Sequence, residues 1–213
     1  MKILVIGANG KIGRIFCRKA SEEGWGVRAM VRDPKQVPLF EQLGVEPVVG
    51  DLEGEFADAF DGCDRVVFTA GAGGHTGGDK TLLIDLYGAI RAIEKSERRG
   101  IDHFVMVSAM GAESPLAAPP AMRHYMVAKL LADERLAASA VASTTLRPGR
   151  LTDEPGSGRV RTRLEAGEGI EISRENVAGC IAAALAAPAP RGDRIVDLLD
   201  GDTRIGELFS ASG

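Results

Sequence analysis

The chain has 213 residues, 45% hydrophobic and 26% charged, a composition that suits one compact domain or one domain with a small appended lobe and excludes a mostly disordered chain. A net charge of −4 provides no general positive field for nucleic acid or anionic lipid. Cys17, Cys63 and Cys180 are scattered without a CxxC pair, which argues against a disulfide framework and a structural zinc site. The first apolar run, Ile3 to Ile6, is too short for a signal peptide, and no later stretch approaches a membrane span, so the expectation is a cytoplasmic protein.

In chain order, β-branched runs alternate with helical patterns. Lys2 to Ile6, Val27 to Val31, Val45 to Val49, Arg65 to Phe68, Phe104 to Val107 and Thr144 to Leu146 read as strands. They are continuously apolar rather than alternating, as when helices cover both faces of a parallel sheet. Between them, helices are expected over Lys11–Glu23, Pro34–Leu43, Thr81–Arg99 and Met122–Ala140. Leu82, Leu83, Leu86, Ala89, Ile90 and Ile93 give the third an apolar face, and its terminal Lys95, Arg98 and Arg99 suit the negative end of the helix dipole. Repeated βα units specify an α/β, doubly wound parallel sheet, the Rossmann arrangement.

Residues Arg150 to Gly169 break the pattern with a Gly/Pro-rich loop and the alternating Arg159-Val160-Arg161-Thr162-Arg163, read as a half-exposed strand with a solvated arginine face. A helix near Glu175–Ala187, a strand near Arg194–Leu199 and a short amphipathic tail follow. The whole chain, 1–213, is expected to be one domain built on this sheet, with 150–169 a small lobe beside its cleft.

Directly after the first strand stands Gly7-Ala8-Asn9-Gly10-Lys11-Ile12-Gly13, a GxxGxxG spacing. Gly7 allows a tight turn, Gly10 admits a pyrophosphate to the backbone amides, and Gly13 lets the helix pack closely on the strand. With a strand before and a helix after, this predicts a dinucleotide site. At the end of the second strand Arg32 stands where an NAD site carries an acid, and a guanidinium pairs bidentately with a 2′-phosphate, which favours NADP. Asp33, before Pro34, reads as a helix N-cap, although a shift of one residue would give it the acidic role of an NAD site. Asp51 could accept from the adenine amino group or cap the following turn.

Tyr125 and Lys129 form a YxxxK pair on one helix face, where a nearby ammonium favours the phenolate and equips Tyr125 as general acid/base beside a nicotinamide. His75 and His124, with three histidines in all and no second ligand at a suitable spacing, do not suggest a metal site.

Taken in order, GANGKIG, Gly50-Asp51-Leu52, Thr69-Ala70-Gly71-Ala72, YMVAK and Leu146-Arg147-Pro148-Gly149 resemble the short-chain dehydrogenase/reductase superfamily over essentially the whole chain. His75–Thr81, Arg123-His124-Tyr125 and Ile172–Ala178 narrow the resemblance to its small atypical, NmrA-like members of epimerase/dehydratase type. The resemblance implies that Gly7, Asn9, Gly10, Lys11 and Ile12 hold the pyrophosphate, Arg32 the 2′-phosphate, and Asp51 and Leu52 the adenine. It further implies that Ala70, Gly71 and Pro148 flank the ribose and nicotinamide, with Lys129 on the ribose and Tyr125 as acid/base. Ser108 matches the first serine of the family's fifth-strand motif, but Ala109 and Met110 occupy the positions that usually give the catalytic hydroxyl, and Asp85 replaces the active-site Asn. The expected function is an NADP(H)-dependent oxidoreductase passing hydride to a small carbonyl, quinone or flavin-like acceptor. The alternatives are a non-catalytic NADP(H) redox sensor and, third, a nucleotide-sugar epimerase/dehydratase. The sequence names no substrate, partner or oligomeric state.

Overall fold

A computed structural model describes residues 1–74, 76–165 and 167–210; His75 lies outside them. The strands are β1 (Lys2–Ile6), β2 (Gly26–Val31), β3 (Glu46–Val49), β4 (Arg65–Phe68), β5 (His103–Val107), β6 (Ser143–Pro148), β7 (Arg150–Thr152), β8 (Arg159–Arg161), β9 (Glu171–Ser173), β10 (Asp193–Asp200) and β11 (Thr203–Arg204). The helices are α1 (Lys11–Glu22), α2 (Val37–Gln42), α3 (Gly78–Lys80), α4 (Ala89–Arg99), α5 (Arg123–Ala137), α6 (Arg174–Ala186) and α7 (Ile205–Phe209). One sheet runs in the order β11-β8-β10-β6-β5-β4-β1-β2-β3, parallel from β3 to β10, with β8 and β11 added antiparallel at one edge. β7 and β9 form a separate parallel pair.

Alternation along each strand builds a core on both sides of the sheet. Ile3, Val5, Val105 and Val107 face Phe16 and Cys17 of α1 and Val177 and Ile181 of α6. Leu4, Ile6, Phe104 and Met106 face Ala92 and Ile93 of α4 and Ala132 and Leu136 of α5. The two βαβ halves diverge between β1 and β4, which opens a crevice at the carboxyl ends of the central strands, the general location of ligand sites in open α/β sheets.

Several expectations are corrected. The helix expected over Pro34–Leu43 is a 3₁₀ turn, Pro34–Gln36, followed by a short α2. Thr81–Gly88 is π-helical and joins α3 to α4 in one continuous helix. The wider i→i+5 turn rotates the face read from the sequence: Leu82 and Leu83 are exposed, and Asp85 is buried in their place. The region read as loop holds β7, and β9 follows it, two strands too short to signal themselves by periodicity. The arginines of β8 are engaged rather than merely solvated. Arg159 donates to Asp202 O at 2.6 Å, and Arg161 donates to Asp200 O and Gly169 O and pairs with Glu168. The cations closing α4 are structural, as read: Arg99 pairs with Asp61 at 2.6 Å and Lys95 lies over the Phe56 ring.

Candidate functional site

Gly7 adopts φ +87°, and a Cβ there would lie 2.5 Å from the Ala70 backbone nitrogen, so the turn from β1 and the end of β4 touch backbone to backbone. At Gly13 a Cβ would lie 2.4 Å from Gly7 O, which is why α1 can start directly against the turn. Gly10 caps α1 with no side-chain hydrogen bond, and the first turn carries no carboxylate. The first N–H groups of a helix have no partners within it, so this end presents donors and a positive dipole to an anion. A Cβ at Gly10 would meet only Gly7 O, at 3.2 Å; its outer side is open. These features fit a pyrophosphate held by backbone at Gly10, Lys11 and Ile12.

The loop opens onto a cleft of about 540 Å³ whose lining includes Gly7, Asn9 and Gly10, then Arg32 and Gln36, Asp51 and Leu52, and Ala70 and Gly71. The structure therefore brings together residues that the sequence places at four strand ends and the turns after them. Arg32 is exposed on the cleft and enters no ion pair among the described residues. Asp33 is occupied as a cap: its carboxylate accepts from Lys35 N–H at 2.9 Å, and the Gln36 side chain accepts from the Asp33 N–H. Asp51 accepts from Glu53 N–H at 3.0 Å through Oδ1, and Leu52 is buried against Gly88. Lys80 and Glu53 form an ion pair at 2.7 Å, with Lys80 on the cleft wall. Sequence reasoning missed Gln36 and Lys80; Asp33-Pro34-Lys35-Gln36 carried a capping-box signal for the first, and nothing marked the second.

Tyr125, Lys129 and Asp85 form a second group. The Lys129 ammonium lies 5.6 Å from the centre of the Tyr125 ring, 3.3 Å from Asp85 Oδ1 and 3.3 Å from Val107 O. Burial alone would lower the Lys129 pKa, but Tyr125 and Asp85 outweigh it and hold the ammonium above the usual lysine range. The other Asp85 oxygen accepts from Ala72 N–H at 2.9 Å, and a Cβ at Gly71 would lie 3.0 Å from Asp85 Oδ1. Asp85 thus ties Lys129 to the turn after β4, which forms part of the cleft. Tyr125 is half-buried and stands outside the lining of the cleft proper. His124 packs against Gly78 at the start of α3.

Ser108 lies apart from this group. It is buried, and its hydroxyl donates to Asp133 Oδ2 at 2.9 Å, the same oxygen that takes Arg147 Nε at 2.9 Å. Burial raises the Asp133 pKa against the opposing pull of Ser108 and Arg147. Asp133 continues the four-residue spacing of Tyr125 and Lys129, a signal that was readable and passed over. Pro148 ends β6, its carbonyl accepting from Met110 N–H. At the start of α1, Lys11 pairs with Asp153 Oδ2 at 2.5 Å, and Arg174 pairs with Asp153 Oδ1 at 2.7 Å. The Lys11 hydrogen bond is the main influence holding the Asp153 carboxyl below its usual range. Burial pushes the Cys17 and Cys180 thiols up to about 12, which removes both as nucleophiles at neutral pH. No helix among the described residues is long and apolar enough to cross a membrane.

A phosphate loop at the first strand end, a cleft at the divergence of two βαβ halves and a Tyr–Lys pair beyond it define a dinucleotide-binding Rossmann protein. The chain belongs to the NAD(P)H-binding family, which matches residues 7–188. It is 44% identical over 213 residues to a Bacillus subtilis protein named YhfK, an uncharacterized sugar epimerase, covering 98% of this chain and 99% of that one. A UPF0659 protein of Saccharomyces cerevisiae is 35% identical, with 95% and 94% covered. A solved structure from Bacillus halodurans, provisionally named an NAD-dependent epimerase/dehydratase, superposes with a TM-score of 0.92 at 42% identity over 98% of each chain. The atypical short-chain dehydrogenase/reductase type and a nicotinamide cofactor follow from these likenesses.

Proposed function

We propose that the protein is an NADP(H)-dependent oxidoreductase that reduces a small carbonyl, quinone or flavin-like acceptor. The observation that carries the cofactor choice is the division of labour at the end of β2: Arg32 is exposed on the cleft while Asp33 is consumed by the cap of the following turn. A free guanidinium at that position suits a 2′-phosphate, and a carboxylate already engaged as a cap is poorly placed to accept from a ribose 2′-hydroxyl.

A bound nicotinamide supplies hydride when reduced and accepts it when oxidised. With a carbonyl acceptor, Tyr125 would give its proton to the oxygen of the carbon being reduced. Lys129, cationic through the neutral range, stabilises the phenolate left behind. Asp85 holds Lys129 in place through its second contact, at Ala72. Quinones and flavins place less demand on the proton donor than an isolated carbonyl, which accords with the absence of a serine hydroxyl at Ala109 and Met110.

The test is turnover of NADPH against a panel of these acceptors. Tyr125→Phe is expected to lower turnover by at least about tenfold while leaving NADPH affinity within about twofold. Undiminished turnover would remove Tyr125 from the mechanism. The name of the Bacillus subtilis relative supports a second reading, sugar epimerisation, in which hydride returns to the same molecule. That reading predicts isomerised product without net NADPH oxidation. Tight NADPH binding without either reaction would favour the sensor reading.

A further inference from the structure

Lys11 heads the turn that receives the pyrophosphate, yet its ammonium is directed at Asp153, 2.5 Å away, and its side chain is absent from the cleft lining. Arg14, the next cation of α1, is spent on Asn9 Oδ1 at 2.5 and 3.0 Å. The phosphate loop therefore has cations beside it and none turned into it. Asp153 begins the segment 153–158, which carries the chain from β7 to β8 and so into the small lobe. The far end of that segment is fastened to the start of α6: Gly156 N–H donates to Glu175 Oε2 and Gly158 N–H donates to Asn176 Oδ1, both at 2.9 Å. Among the described residues its side-chain tie to the phosphate loop is the carboxylate of Asp153, shared between Lys11 and Arg174.

We propose that Asp153 competes with the dinucleotide for Lys11, so that binding of the dinucleotide releases the 153–158 segment from the phosphate loop. This rests on the cofactor reading above. A pyrophosphate carries two negative charges and also engages the α1 N-terminus, so it outcompetes a single exposed carboxylate for the ammonium. Once it is seated, Asp153 faces a like charge and retains Arg174, which draws the segment towards α6. Exposed ion pairs are weak and exchange readily, so the swap meets little resistance. Two consequences follow. Asp153 sets the affinity of the dinucleotide from outside its contact surface, and the lobe is loosened for the second ligand only after the first has bound.

The experiment is a calorimetric titration of the full chain with NADPH, paired with hydrogen exchange of residues 150–158 in the presence and absence of the nucleotide. Asp153→Asn is expected to tighten NADPH by about three- to tenfold. It should also raise exchange in 150–158 of the free protein at least to the level that NADPH produces in the wild type, because the variant weakens the Arg174 pairing as well. Asp153→Glu keeps the carboxylate and should behave as wild type. In a Lys11→Gln background, which weakens binding, Asp153→Asn should have a smaller effect on affinity than in the wild type, since only relief of the like charge remains. Unchanged or weaker NADPH binding by Asp153→Asn, with exchange in 150–158 indifferent to NADPH, would overturn the competition and leave the cofactor reading standing. A wild-type chain that binds no nicotinamide dinucleotide would overturn both.

Discussion

Arg32 and Asp33 are adjacent, and their roles are separated by what each side chain touches rather than by residue type. The register of β2 against β3 pairs Val31 with Val49, so Arg32 leaves the strand at the cleft while Asp33 turns into the cap. A charge-assisted hydrogen bond contributes about 1.5–3 kcal/mol net, so Arg32→Ala should weaken NADPH by about 10- to 100-fold. NADH affinity should change little, and fluorescence titration with both nucleotides reads the difference. Preference for NADPH surviving in Arg32→Ala would assign the 2′-phosphate to another cation. A different residue, His103, sets a pH limit. Its Nε2 is 2.9 Å from Thr144 Oγ1, Nδ1 is buried without a partner among the described residues, and burial pushes its pKa down to about 4. The unfolded chain takes up this proton near pH 6.5 and the folded chain only near 4, so stability falls as pH drops through that interval. Between pH 7 and 5 the loss should be about 2 kcal/mol by urea unfolding, and His103→Gln should flatten it. An equal decline in His103→Gln would place the titration elsewhere.

At the scale of elements, the glycines of the phosphate turn do separate jobs, and Gly13 is the one that joins helix to strand. A methyl at Gly13 would lie within 2.4–2.8 Å of the backbone at Gly7 and Ala8, where nothing flexible can give way. Gly13→Ala should therefore cost about 1–3 kcal/mol in chemical unfolding and weaken nucleotide binding as α1 moves off its strand. Wild-type stability in that variant would show that the turn tolerates a shift. This part of the site was legible from sequence because the spacing of three glycines reports backbone contact directly. The second group was less so. Tyr125 and Lys129 are read from their spacing, but Asp85 reaches Lys129 only because Thr81–Gly88 winds as a π-helix. A 3.6-residue period points Leu82 and Leu83 inward and leaves no reason to bury a carboxylate. The demand of the buried Lys129 for a partner overrides that pattern. Ser108 illustrates the converse: its motif is visible, but the Asp133 that accepts from its hydroxyl, and the Arg147 that donates to the same oxygen, come from α5 and β6.

For the whole molecule, the parallel sheet was readable because its seven parallel strands with covered faces leave continuous apolar runs, whereas their order comes from the structure. The lobe was not readable in the same way. Its strands have two or three residues each, and their positions are fixed by pairing, β8 to β10, β11 to β8 and β7 to β9, rather than by any pattern of their own. β10 is the seam: through Leu198 it runs parallel to β6, and its last two residues, Leu199 and Asp200, pair antiparallel with β8 on the other edge. Asp200 also accepts from Ser173 N–H and Asn176 Nδ2, fastening β9 and the start of α6 to the same point. Among the described residues the lobe is therefore fastened to the sheet and to α6 at one shared point, and taking it out as a module would break the end of β10. Extra length in the short passage between Thr152 and Arg159 would cost little in chain entropy. Such a change would not stay local: Asp153 in that passage pairs with Lys11 at the head of the phosphate turn, so altered length there also reaches the nucleotide cradle.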